Sequence, residues 1–569
     1  VTEQDLSSDD EGVQPPPSGE TVVAGWSGEM RPSASGFKTS GSQVSRGQAS
    51  LGGQNSEVDY HPLALDSDEP GVWGWIDRAC ENASAWVNPI LIKEARQSLK
   101  SRQFLVTFFL LLIASCVWTV LGVVSYSPDV YYVPTGGNLL IGYYLVMAIP
   151  MIGMVPLAAH RSLVAEIEDD TFEMLVITRL SSMRIVMGKL NSAILQMMIY
   201  FAAIVPCLAF SYLLRGVSLP MIGALIITTF FTALLITCLS LLLATLAFNR
   251  TGQTVALLVV LAVILFTEIM CFAFCVEGIF EMSDEDTYLG LTAYVVVGVS
   301  CMVLFVKAAA ARIAPVSENR STGLRRTMFV QQLVWMVVMA AVAMWYDDYE
   351  PINFGSMILA GYWLLMGTLM MAESSELSPR VQRSLPSTLA GRALLTWFNP
   401  GPATGYVFAV TTGLAGITAM GVFGAMQTQS PSPSTHTIIF SCLAAGYLLV
   451  YLGIARIIAL PILRRTGPSI IVPLGSLVAV LFIALVTPLV ITVAMTGSPA
   501  SSYTPLEVMN WGWSLAEAFS SGGIDEPLAF LVLMAGLLIT IANLGYLLRV
   551  FKYRRITVPE RVVQDEVVN

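Results

Sequence analysis

About twelve stretches of roughly twenty apolar residues each, separated by short polar connections, limit what this chain can fold into. An α-helix needs about 20 residues to cross the hydrocarbon of a bilayer. Inside that layer a helix is one of only two structures that satisfy their own backbone donors and acceptors. The stretches fall near 104–124, 138–159, 190–214, 219–248, 254–277 and 289–309, then 328–345, 354–371, 405–426, 437–457, 470–495 and 527–550. Charged residues make up 12% of the 569, against about 25% in soluble proteins. The expected fold is all-α, a polytopic membrane helix bundle of about 12 transmembrane helices.

The connections carry the second constraint, because Lys and Arg gather on the cytoplasmic side of a membrane protein. The basic connections alternate strictly with acidic or neutral ones. The segments 93–102, 161–189, 307–326, 380–392, 456–465 and 549–555, with Arg250, hold most of the cations, while the short turn at Arg215, EGIFEMSDEDTY, YDDYEP and QTQSPSPSTH fall between them. The alternation predicts cytoplasmic N and C termini and a multi-pass protein of the inner (cytoplasmic) membrane. The formal net charge of -10 is local, since residues 1–70 hold twelve Asp or Glu against three Lys or Arg. Such a segment, rich in Ser, Gly and Pro, buries too little apolar surface to offset ordering, so 1–72 is read as a disordered acidic cytoplasmic tail. Residues 551–569 are a shorter cytoplasmic tail. Val1 is not followed by a basic stretch and a short apolar core, so no cleavable signal is expected. Nothing in the charge pattern points to nucleic acid. Seven of the eight Cys sit in apolar runs, and His61, His160 and His436 are the three His, so no metal site is expected.

Residues 86–103 read as an amphipathic interfacial helix. Asn88 is placed as N-cap with Pro89 in the first turn; Ile90, Leu91, Ala95 and Leu99 form an apolar side, and Lys93, Arg96 and Lys100 a basic one, with Glu94 between them. That design suits the inner membrane surface, cations toward anionic lipid headgroups.

The most patterned polar island is HRSLVAEIEDDTFEMLVITRLSSMRIVMGK, from His160 to Lys189. Asp170 with Glu173 three residues on can start a helix, Phe172, Leu175, Val176 and Arg179 share helical spacing, and Ser181 or Ser182 can cap the next helix. The order Glu166, Asp170-Thr171-x-Glu173-x-Leu175, Thr178-Arg179-Leu180-Ser181, Ile185 and Gly188-Lys189 resembles the signature of type-2 ABC exporter (ABC-2) permeases, approximately E, GT-x-E-x-L, TPLS, I-x-x-GK. The chain departs from it at Asp170, where the family usually has Gly, and at Arg179, where it usually has Pro. NPILIKEARQ is similar to the element that precedes the first membrane helix in the same family, and the resemblance covers residues 86–312. It implies a six-helix permease unit over 104–312 and a coupling helix at 166–182 that docks on a separate ATPase subunit. Glu166, Asp170, Thr171, Glu173, Leu175, Arg179, Leu180, Ser181 and Lys189 are then the coupling residues.

No P-loop is present, since Gly188-Lys189 runs into Leu190 without the preceding glycines, and no catalytic constellation is visible. The chain is therefore expected to be a non-enzymatic membrane subunit that binds no cofactor, with ATP and Mg on the partner ATPase. One coupling segment per chain suggests a homodimer in contact with membrane lipids.

Residues 313–550 form a second six-helix unit, read as diverged or accessory. Trp397-Phe398-Asn399-Pro400 echoes Trp86-Val87-Asn88-Pro89, which would align helices 9–12 with helices 1–4. The counterpart of the 160–189 island would then be RIIALPILRRTGPS, shorter and without an acid, so chance identity or a degenerate duplication is the simpler reading. Glu268, inside the fifth span, is the candidate for lining a translocation path, because ionisable groups within a membrane are costly. Lys307 is expected to snorkel, Glu373 to mark a helix end, and Gln196 and Asn543 to hydrogen-bond between helices. The leading function is the permease subunit of an ATP-driven ABC-type exporter; the alternatives are an ion-coupled secondary transporter with Glu268 as its coupling site, or a non-transport membrane scaffold.

Overall fold

The computed structural model describes residues 89–128, 132–168, 181–246, 250–278, 284–315, 318–373, 382, 388, 396–427, 431–467, 469–498, 502–520 and 524–547. The acidic N-terminal tail, the C-terminal tail, Asn88 and residues 169–180 lie outside them. So do the coupling candidates Asp170, Thr171, Glu173, Leu175, Arg179 and Leu180.

Among the described residues the fold is helical, with 12 helices long and apolar enough to cross a membrane. Helix α1 is Pro89–Leu99, shorter than the sequence reading. A break follows because Ser101 caps the next helix, its side chain accepting from the Phe104 amide. The first six spans are α2 (Arg102–Ser125), α3 (Gly136–Glu168), α4 (Ser182–Leu213), α5 (Leu219–Leu246), α6 (Arg250–Val276) and α7 (Asp284–Ile313). The last six are α8 (Ser321–Tyr346), α9 (Glu350–Met371), α10 (Pro402–Gln427), α11 (Pro431–Thr466), α12 (Ile471–Thr496) and α14 (Glu526–Leu547). Most run past the apolar segments that announced them: α3 continues to Glu168 and α4 starts at Ser182, since helical hydrogen bonding carries on where hydropathy ends. A π turn at Ile149–Met154 interrupts α3, and Pro150, which has no amide proton, sits inside it.

The spans pack as two groups of six. In the first, α2 packs on α3 and α4; α3 on α4, α5 and α6; α4 on α5 and α7; and α5 on α6 and α7. In the second, α8 packs on α9 and α10; α9 on α10, α11 and α12; α10 on α11 and α14; and α11 on α12 and α14. Helix α7 packs on α8 and joins the groups. Trp335 donates to Ser300 Oγ at 3.0 Å across that joint. Lys307, expected to snorkel, instead donates to Thr327 Oγ1 at 2.9 Å there, because α8 starts seven residues before the apolar run predicted it and brings an acceptor within reach.

The core of the second group surrounds Trp363, Tyr406 and Phe440, all buried. A polar thread runs through it: Trp363 Nε1 donates to Gln332 Oε1 at 2.6 Å, and Gln332 Nε2 donates to the Thr412 carbonyl at 3.0 Å. Between α11 and α14, Asn543 donates to the Ile539 and Gly453 carbonyls at 2.9 and 3.4 Å and accepts from Arg456 at 3.3 Å, the interhelical role expected of it. Between α12 and α14 lies a short helix, α13 (Trp511–Ser520), preceded by a 3-10 turn at Pro505–Met509. Tyr447 and Tyr451 of α11 donate to the carbonyls of Val508 and Met509 at 2.6 and 2.8 Å and hold that turn on the bundle.

Glycine permits the closest helix approach at Gly142 of α3, where a Cβ would fall 1.9 Å from the Trp118 ring of α2. Gly142→Ala is expected to lower the unfolding temperature in detergent, an overpacking cost of about 1–3 kcal/mol. Gly298→Ala on α7, with nothing within 4 Å, is the control and is expected to leave it unchanged or raise it.

Candidate functional site

The periodicity of three helices sends charged groups to one point. On α1, Glu94 lies among Leu91, Ala95, Ser98 and Leu99, the face turned toward α4. On α4, Lys189 follows buried Ile185 and Val186 and precedes buried Ser192 and Ala193, so it faces inward. On α3, Glu166 comes one turn after buried Leu163. Lys189, 3% exposed, places its Nζ 3.0 Å from Glu166 Oε1, 3.3 Å from Glu94 Oε1 and 2.8 Å from Ser162 Oγ. Glu166 also meets the Glu94 carboxyl, so two acids share one ammonium.

The cluster ties α1, α3 and α4 together at the base of the 169–180 connection. Burying three ionisable groups is a poor route to stability, since lost hydration offsets most of the Coulomb attraction. What it supplies is geometry. The apolar side of α1, expected to lie in the membrane interface, is turned at least in part onto α4, while Lys93 and Arg96 remain exposed as predicted. Ser98 Oγ lies 3.1 Å from Ser192 Oγ along the same contact.

Beside the cluster is a cavity of about 300 Å³ between α1, α2, α3 and α4. Gln97, Ser101, Thr107, Arg161, Gln196 and Tyr200 are among its lining. Gln196, expected to bond between helices, faces this space.

Of the other sequence candidates, Ser181 is the residue before α4, as a cap should be, though its side chain makes no capping hydrogen bond. Pro89 opens α1. Glu268 on α6 lies within electrostatic reach of Tyr144 on α3; neither its Oε2 nor the Tyr144 hydroxyl is set at hydrogen-bonding geometry among the described residues. It stands apart from the Glu94–Glu166–Lys189 cluster. Glu166 and Lys189 are thus brought together with Glu94, whereas the remaining coupling residues are not described.

Sequence reasoning missed a second buried cluster. Arg325 of α8, 1% exposed, donates to Glu373 Oε2 at 2.5 Å, to the Trp397 carbonyl at 2.6 Å, to Thr404 Oγ1 at 3.1 Å and to the carbonyls of Asn399 and Gly401. Glu373 Oε2 also accepts from the Gly401 amide at 2.7 Å. Glu373, expected only to mark a helix end, is therefore an ion-pair partner. The available signal was a cation that falls inside a helix at 321–346 once that helix is extended by two turns.

Among the described residues no group of His, Cys, Asp and Glu could hold a metal ion. Comparison with protein-family models, curated proteins and solved structures finds no match for this chain.

Replacing Lys189 with Met leaves two carboxyl groups without their cation, a change that costs about 3–5 kcal/mol when the site is buried. A Ser98→Cys, Ser192→Cys pair is expected to cross-link readily in the otherwise native chain, and the added Lys189→Met change to reduce the cross-linked fraction, as read by gel shift.

Proposed function

We propose that this chain is the membrane subunit of an ATP-driven ABC-type exporter, working with an ATPase on a separate polypeptide. The observation that carries the reading is the Glu94–Glu166–Lys189 cluster, which joins the ends of α3 and α4 to α1. The connection between those ends contains the segment that resembles the family's coupling helix. A segment that transmits motion needs a stiff base, and an ion cluster linking three helices provides one. In this reading the ATPase docks on Thr171 to Ser181, with Glu173 a contact. ATP-driven closure of the ATPase shifts α3 and α4 as bodies, and nucleotide favours one arrangement because it binds that arrangement better. The charge alternation supports a cytoplasmic location for this end of the bundle.

A second reading, ion-coupled secondary transport, draws on Glu268, a carboxyl inside a span and close to Tyr144. Both transport readings are compatible with the fold, and nucleotide dependence separates them.

Transport by the reconstituted chain and its co-purified ATPase is expected to require ATP. Glu173→Arg is expected to slow it by about tenfold, within the usual range of coupling between sites, without changing the yield of folded chain. Transport that persists on an ion gradient with nucleotide removed supports the second reading and rejects the first.

A further inference from the structure

The turn between α8 and α9 forms the mouth of a cleft at the joint of the two groups. Asp347 closes α8 in the left-handed conformation, which Asp tolerates better than most residues, and the chain runs almost at once into α9. Asp348 and Glu350 are thereby held at the end of α8 opposite its basic start. The Asp348 carboxyl accepts from the Glu350 amide at 3.2 Å. Tyr346, the last residue of α8, donates to the Asp286 carboxyl of α7 at 3.0 Å. Among the described residues neither Asp348 nor Glu350 enters an ion pair. The connections that lead into α7 and α9, EGIFEMSDEDTY and YDDYEP, carry acids and no Lys or Arg, so the local field draws cations and repels anions.

Behind the acids lies a cavity of about 540 Å³. Met339, Val342 and Tyr346 on α8, and Pro351 and Phe354 on α9, recur at three- or four-residue spacing, so each helix turns one face to it. Tyr294 of α7 and Phe519 of α13 add two further rings to the lining that holds Asp348 and Glu350. A smaller cavity of about 80 Å³ shares Val297 and Met339 with the first and continues to Trp335, Met336 and Met420. Its lining is apolar apart from the Trp335 ring nitrogen, which is already committed to Ser300 Oγ. Small-molecule sites span about 300–1,000 Å³, so the space suits a ligand of that size.

The two ends of the cleft select the occupant. A charge on the apolar floor would lose its hydration and gain no partner there. An anion would be repelled at the mouth. A cation with an apolar body satisfies both ends, with its charge near Asp348, Glu350 and the aromatic rings, which attract cations, and its body against methionines that adapt to irregular shapes. From the acidic mouth, the aromatic wall and the apolar floor we propose that the cleft between α7, α8 and α9 is a binding site for lipophilic cations. The inference concerns binding by this chain alone and does not depend on what drives transport.

The probe is tetraphenylphosphonium. Its binding to the full-length chain in lipid nanodiscs is measured by equilibrium dialysis, with empty nanodiscs as the blank and neutral triphenylphosphine oxide and anionic tetraphenylborate as comparisons. Saturable binding of the phosphonium is expected, with both comparisons weaker. Asp348→Asn and Glu350→Gln are each expected to weaken it about threefold and the pair together about tenfold, as partly exposed charges do. Val297→Phe, which puts a ring where the two cavities meet, is expected to abolish it. The two acid variants lie on a turn and decide the matter even where a larger side chain within a span disturbs folding. Absence of saturable phosphonium binding overturns the inference. Equal affinity for the phosphine oxide, or unchanged affinity in the double acid variant, also overturns it and makes the cleft a slot for lipid chains or neutral solutes. Particles of two chains that exclude the phosphonium overturn it in favour of a contact between copies.

Discussion

A polar group in an apolar layer is costly unless it finds its partner within the protein, and the backbone and several buried side chains of this structure answer to that constraint. It makes the chain helical throughout its spans, because a helix closes its own backbone hydrogen bonds. It also governs side chains. Gln332 spends both ends of its amide on Trp363 and Thr412, and Asn543 bridges Arg456, Gly453 and Ile539. His160 Nδ1 lies 3.1 Å from the Ser240 carbonyl, which can only accept, so the proton is on that nitrogen. These bonds select which faces of the helices meet, a choice that lipid-like apolar surfaces leave open.

Close approach completes the selection. A Cβ on Gly413 would meet Trp363, one on Gly416 would meet Gln332, and one on Gly367 would meet Ala409 and Leu452. The small residues bring α9, α10 and α11 near enough for the buried amides and aromatic rings to reach their partners. Among the described residues the first group has fewer such glycines, and α2 and α6, like α12 and α14 of the second group, turn most of their surface outward, where a bilayer would cover it.

The two ion clusters differ in kind from this polar packing. Both lie where a long connection leaves the spans, and both take an acid from the end of the helix that enters it, Glu166 on the last turn of α3 and Glu373 two residues past α9. Arg325 suits its position better than a lysine would, since a planar guanidinium can address Glu373 and four further acceptors at once. Lys189, a compact charge, sits between two carboxyl groups and one hydroxyl.

Hydropathy and charge alternation determined the number of spans and their succession, because crossing a membrane is a property of each segment by itself. Asn543 and the cationic face of α1 were legible for the same local reason. Lys189 and Glu166 were singled out by resemblance, but their contact with Glu94 was not, since it joins residues 95 positions apart. Arg325 and Glu373 were hidden because the apolar run underestimated α8, and hydropathy does not report where a helix extends beyond its greasy middle. The pairing of spans, and with it the repeat of one six-helix scheme, was decided by tertiary structure. The matching contacts are made by different residues in the two groups, and packing conserves shape and partner where sequence need not.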